Sequence, residues 1–183
     1  MRRFQFVGAP LILPHTALAD LDTALAGDAF WPHYLKPLFQ GQPVPYDLHL
    51  AVFVEPYLGF VLDGRKTVES RFSVHRCAPY ERVKRGDVIL LKRAGGGVVG
   101  LCQASHVWNY ALQPGALSEI KERFGPAICA QDEEFWKARA RAAYATLIRV
   151  GHARAIDAFT VPKRDRRGWV VLDRPNAQGT LFS

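Results

Sequence analysis

The segment Gly64-Arg65-Lys66-Thr67-Val68-Glu69-Ser70-Arg71 holds the chain's strongest candidates for chemistry. Gly64 admits a tight left-handed turn and leaves room for a ligand beside the following amides. Lys66 comes just after that turn, where its ammonium can reach back across the end of a preceding helix. Alternate side chains of a strand share a face, so Thr67, Glu69 and Arg71 project together. In a barrel interior or mouth, such a carboxylate, guanidinium and hydroxyl perturb one another's protonation and recognise polar planar ligands. On an exposed strand the same spacing gives a surface Glu–Arg pair of little energetic weight. Spacing alone leaves both readings open.

If that face is enclosed, two hydrolytic schemes and one binding scheme follow. Glu69 can act as general base on water, with Lys66 or Arg71 stabilising an oxyanion. Alternatively, Glu69 and Lys66 serve as base and acid for cleavage at a ribose 2′-OH, with Arg71 on the phosphate. Simple binding needs less: Arg71 and Arg65 hold phosphate, Glu69 accepts from a base or ribose hydroxyl, and an aromatic ring stacks. Tyr57, Trp108 and Trp136 are the candidate platforms, although large aromatics more often fill cores.

Other segments carry weaker signals. Lys163-Arg164-Asp165-Arg166-Arg167-Gly168-Trp169 is a basic cluster that either grips phosphates or forms a solvated turn. His75 and Cys77 share a strand face, but no Cys-x-x-Cys or His-x-x-x-His spacing accompanies them, so no metal is expected. Gly95-Gly96-Gly97 lacks the Lys-Ser/Thr and helix of a phosphate loop and reads as a hairpin turn. No Gly-x-Ser-x-Gly elbow is present, which disfavours a serine hydrolase.

The elements that would position these residues are legible in outline. Six of the twelve prolines fall within residues 1–47. One helix fits there, with Thr16 as N-cap, Ala17 to Ala26 as its body and Gly27 beyond its end. The apolar run Phe30-Trp31-Pro32-His33-Tyr34-Leu35 reads as an arm packed on the main domain, or as a protein-interaction surface. From residue 48 the pattern gives a strand over His49–Val54 and a helix opened by Pro56 and closed by Gly64. The motif strand Lys66–Phe72 follows, then a hairpin of Val88–Arg93 and Val98–Ala104 that residues 107–110 can prolong. Helices are expected over residues 118–124, ending at Gly125-Pro126, and over 132–141, whose acidic start and basic end suit the helix dipole. Strands follow at Tyr144–Val150 and Trp169–Leu172. The expected fold is α+β: a small, mostly antiparallel barrel with flanking helices and an N-terminal arm.

Composition narrows the class. The chain has 183 residues, 49% of them hydrophobic and 22% charged, which fits a globular protein. No apolar run approaches the roughly 18 residues of a membrane helix, and the start is broken by Gln5, Gly8 and Pro10, unlike a signal peptide. Three scattered cysteines, Cys77, Cys102 and Cys129, fit reduced thiols in a cytoplasm. The net charge of +7 is segregated. Residues 1–63 and 94–136 each carry −3, whereas residues 64–93 carry +6 and residues 137–183 carry +7. Both basic blocks are expected to border one cleft that takes an anionic partner.

The string GRKTVESR fits the GxKxxExR signature of the ASCH domain, a PUA-like barrel family associated with RNA. The order of elements around it resembles that family over about residues 48–172, so residues 1–47 are taken as the arm and 48–183 as the ASCH domain. The resemblance implies a PUA-like barrel and a ligand cleft between the helix ending at Gly64 and the barrel. Gly64, Arg65, Lys66, Thr67, Glu69, Arg71 and Tyr57 would bind RNA or a nucleoside- or nucleotide-like ligand there, without a cofactor. It also implies an alternative, a hydrolase using Lys66 and Glu69: an amidohydrolase on acetylated cytidine, or a ribonuclease. In the amidohydrolase branch a lysine, a threonine and a glutamate are catalytic. Lys66 matches the lysine, the threonine position holds Glu69, and Glu122 and Glu133 are candidates for the glutamate.

Overall fold

The computed structural model describes residues 11–161 and 166–173. Twelve elements follow in order: β1 (Leu11–Ile12), α1 (His15–Leu25), α2 (Trp31–Phe39), β2 (Leu48–Phe53), α3 (Tyr57–Leu62), β3 (Val68–Ser73), β4 (Val88–Arg93), β5 (Val98–Ala111), α4 (Ala116–Ile128), α5 (Glu133–Lys137), β6 (Tyr144–Phe159) and β7 (Trp169–Asp173). The strands form one curled mixed sheet, ordered β1-β7-β2-β4-β5-β6-β3. Only β1–β7 and β2–β4 are parallel; the other four pairings are antiparallel. The sheet is thus mostly antiparallel, as expected.

Strand β4 shows why the sheet is covered on both faces. Its residues Val88 to Leu91 are all buried, the continuous apolar run of a strand enclosed on two sides. Val88 and Leu90 enter a core with Leu48 and Leu50 of β2 and Leu21, Trp31 and Leu35 of α1 and α2. Ile89 and Leu91 enter a second core with Ala51, Phe53, Leu58 and Val61, under α3. Burying each such Leu or Ile side chain contributes about 1.5–3 kcal/mol. A third core joins Val68 and Leu147 to Ile120, Phe124, Ile128 and Trp136 of α4 and α5. Gly100 on β5 lets α3 approach: a Cβ there would meet Leu62 Cδ2 at 2.6 Å and Arg154 O at 2.8 Å.

Several boundaries differ from expectation, each for an identifiable reason. Helix α1 starts at His15 behind Pro14, whose extended backbone ends the preceding segment, so Thr16 lies inside the helix. The apolar run after Phe30 is the helix α2, with Pro32 in the first turn, where a missing N–H is harmless. The Asp28 carboxylate accepts from the Phe30 and Trp31 amides at 2.8 and 3.0 Å. Trp31 is fully buried and donates its indole N–H to His152 O at 2.9 Å, so it is core and no free interaction surface. Helix α4 does not stop at Gly125-Pro126; Pro126 is accommodated in its last turn, and the buried Ile128 holds that turn to the core. Helix α5 ends at Lys137, and residues 138–141 continue as tight turns.

Candidate functional site

The turn after α3 places the first functional side chain. Gly64 has φ +80°, the left-handed conformation that a Cβ disfavours. The reversal lets Lys66 N donate to Phe60 O at 2.7 Å, and the lysine side chain then runs inward. Its ammonium is buried and donates to Ile128 O at 2.9 Å. That acceptor lies in the extra turn of α4 beyond Pro126. Lys66 Nζ also lies 3.4 Å from Glu69 Oε2. Burial pushes the Lys66 ammonium below its ordinary pKa, and the Glu69 carboxylate offsets part of that shift.

Strand β3 places the other two. Glu69 and Arg71 share a face, and Arg71 Nε donates to Glu69 Oε1 at 2.7 Å. Glu69 is therefore a buried carboxylate held between two cations. The Arg71 fork continues across the barrel mouth: Nη2 donates to Val52 O at 2.9 Å and Nη1 to Gly168 O at 3.4 Å. The guanidinium stands over the rings of Phe53 and Trp169, at 4.9 and 5.3 Å from their centroids.

These side chains line one wall of a cleft of about 510 Å³. Phe53, Tyr57, Phe72 and Phe135 supply its aromatic surface, and Arg139 adds a third cation. Phe135 lies 6.1 Å from Tyr57 and 6.3 Å from Phe72, centroid to centroid, meeting the first tilted and the second edge-on, so the three rings form one aromatic cluster. Arg71 also borders a smaller hollow of about 170 Å³, lined in part by Cys77, Tyr80, Thr146 and Trp169.

Of the residues singled out from the sequence, Tyr57, Lys66, Glu69 and Arg71 come together in the cleft. Three do not. Thr67 is exposed and faces, with Gly64, a separate hollow bordered by Val61, Val150 and Ala153. Its amide binds Ala127 O before the strand begins, so the alternation that would align it with Glu69 does not apply. Arg65 is exposed, pairs with Asp63 through Nε at 2.8 Å and covers the Phe60 ring. Of the aromatic platforms, Trp136 is core and donates to Ala130 O, and Trp108 packs on Phe124. Glu133 pairs with Lys121, and neither it nor Glu122 lines the cleft. Each basic block does reach the cleft, through Lys66 and Arg71 from the first and Arg139 from the second. Residues 162–165, three of them in the seven-residue Lys163–Trp169 cluster, lie outside the described residues, and Arg166 is exposed.

Sequence reading missed Arg139 and Phe135. Both sit in or just past α5, where the basic residues read as helix-dipole partners. The Glu-Glu-Phe-Trp pair of adjacent aromatics was the usable signal, because one helix face cannot bury both. Trp136 goes inward and Phe135 to the cleft.

A buried relay supports the mouth. Trp169 Nε1 donates to His49 Nδ1 at 3.1 Å, which leaves the imidazole proton on Nε2, 2.9 Å from Asp87 Oδ2. Asp87 also accepts from the Asp47 and Lys84 amides at 2.9 and 2.7 Å. Burial alone would raise the Asp87 pKa; the hydrogen bonds from His49 and these amides outweigh it and hold the carboxyl below the usual range. Among the described residues no three His, Cys, Asp or Glu side chains gather as a metal site, and no helix is long and apolar enough to cross a membrane.

No family model matches the sequence, and no curated protein is similar to it. Solved structures are similar in fold. ASCH from Zymomonas mobilis superposes with a TM-score of 0.56 at 13% identity, over 70% of this chain and 89% of that one. A serine-to-alanine variant of that protein gives 0.56 at 12% identity, over the same shares. A tyrosine-to-phenylalanine variant gives 0.54 at 12% identity, over 70% and 91%. At these identities the likeness establishes the fold, and the fold is that of the ASCH domain.

Proposed function

On an ASCH-type fold with this cleft, we infer that the protein binds RNA or a nucleotide-like ligand between α3, β3 and the turn after α5. The observation that carries this reading is the make-up of the cleft. Three cations, Lys66, Arg71 and Arg139, accompany one carboxylate, Glu69, beside the rings of Phe53, Tyr57, Phe72 and Phe135. Base–aromatic stacking contributes about 1–3 kcal/mol per base. The cation excess favours phosphate, and Glu69 can accept from a base amine or ribose hydroxyl. The volume, about 510 Å³, lies within the roughly 300–1,000 Å³ of small-molecule sites. Tyr57→Ala, shown by circular dichroism to be folded, is expected to bind a fluorescent single-stranded RNA at least about tenfold more weakly, the loss of one stack. Unchanged affinity would remove the cleft from the account.

A second reading, hydrolysis, is favoured by the Lys66–Glu69 pair. A buried lysine with a lowered pKa, 3.4 Å from a carboxylate, suits proton transfer during attack on an acyl or phosphoryl centre. In an amidohydrolase, water deprotonated by Glu69 adds to the acyl carbon, and the released amine takes up the proton. Incubation with acetylated cytidine and with single-stranded RNA distinguishes the readings. Product that disappears in Glu69→Gln supports catalysis; no product from either substrate leaves binding as the function.

A further inference from the structure

We propose that Arg139 is the phosphate-binding residue of the cleft, and that it makes the site select phosphorylated nucleotides over nucleosides. The inference rests on the nucleotide reading of the same cleft and assigns its charge specificity.

Of the three lining cations, Lys66 and Arg71 are already engaged. Both contact Glu69, and each also donates to main-chain carbonyls, Ile128 O for Lys66 and Val52 O and Gly168 O for Arg71. Arg139 differs. Its guanidinium makes one hydrogen bond, from Nη1 to Phe135 O at 2.6 Å, and no ion pair among the described residues. It is stacked 3.4 Å from the Phe135 centroid and lies 5.7 Å from that of Phe72. Those contacts hold the plane of the fork while leaving donors for a ligand. Burial depresses its pKa, with only partial relief from Tyr57 and Glu69. A partly desolvated guanidinium with no carboxylate in ion-pair contact among the described residues is suited to a bidentate anion, and a phosphoryl group matches its fork. Its position beside the aromatic face puts that phosphoryl group next to a stacked base.

Calorimetric titration with adenosine, 5′-AMP and the dinucleoside monophosphate ApA tests this, because the three ligands carry no phosphate, a terminal phosphate and an internucleotide phosphate. The full-length protein is expected to bind at least one phosphorylated ligand about tenfold or more tightly than adenosine, as one charge-assisted bidentate contact predicts. Arg139→Gln should lose that preference, its affinity ratio of phosphorylated ligand to adenosine falling toward one, and Arg139→Lys should recover only part of it. A phosphate preference that survives in folded Arg139→Gln overturns the proposal, as does wild-type protein that binds adenosine as tightly as both 5′-AMP and ApA. If no nucleoside or nucleotide binds, the nucleotide reading fails separately. Inorganic pyrophosphate then decides the role of Arg139: a shift of its Nε–H resonance supports anion binding, and no shift contradicts it.

Discussion

Arg71 of β3 reaches Val52 O at 2.9 Å, across a gap that no strand pairing closes among the described residues. Strand β3 is one end of the sheet, and Val52 sits where β2 runs past the start of β7. One guanidinium thus ties the edge strand to the opposite side of the barrel while fixing the Glu69 carboxylate. A residue expected to meet ligand is first a closure of the mouth.

Arg71→Ala should therefore destabilise the fold. It removes a charge-assisted bond to Glu69 and two to main-chain carbonyls, and one such charged bond contributes about 1.5–3 kcal/mol. Urea unfolding is expected to fall by at least that amount. Arg71→Lys should recover less than half, because one ammonium cannot span Glu69 and Val52 O together. A loss below about 0.5 kcal/mol, the scatter of neutral surface changes, would contradict the closure role.

Lys66 sets a testable pH dependence. Its folded pKa lies below the ordinary lysine value of about 10.4, with burial as the main cause. Between those two values the unfolded chain binds more protons, so this group makes stability rise with pH through that window. Thermal midpoints from pH 7 to 10 should rise for the wild type relative to Lys66→Met. Parallel profiles would place the ammonium in water.

Asp87 acts at the other end of the scale. Its folded pKa is lowered, so its contribution is full above the unfolded value near 3.9 and is lost as pH falls through the folded value. Asp87→Asn should cost about 1.5–3 kcal/mol at neutral pH, because the amide offers one acceptor oxygen where the His49 N–H and the Asp47 and Lys84 amides meet two. The variant should also flatten the acid limb of the stability curve below about pH 4. Unfolding midpoints measured from pH 2.5 to 7 check both, and an unaltered acid limb would contradict the assignment.

The core strands and the motif were legible because their physics is local. Strand β4 is a continuous apolar run, and the Gly64 turn with the Glu69–Arg71 alternation follows from backbone geometry. What escaped the sequence is non-local. The acceptor of Lys66 is a main-chain carbonyl 62 residues away, and no side-chain pattern reports a carbonyl. Thr67 looked aligned with Glu69, but its amide is drawn to Ala127 before the strand begins. The helix over Trp31–Phe39 was hidden by its prolines: Pro32 sits in the first turn, where a helix tolerates it, but Pro37 lies inside the helix. Arg139 lines the cleft from the turns after α5, and its Nη1 folds back onto Phe135 O at 2.6 Å.

The central claim is that the cleft between α3, β3 and the turn after α5 receives a nucleotide or RNA ligand. Amide chemical-shift mapping during titration with 5′-AMP, and separately with a single-stranded RNA hexamer, tests it most directly. Perturbations should concentrate at Val52–Val54, Tyr57, Lys66, Glu69–Phe72 and Phe135–Arg139. No perturbation with either ligand at saturating concentration, or shifts confined to residues outside that set such as Lys84, Arg85 and Arg123, would contradict the account.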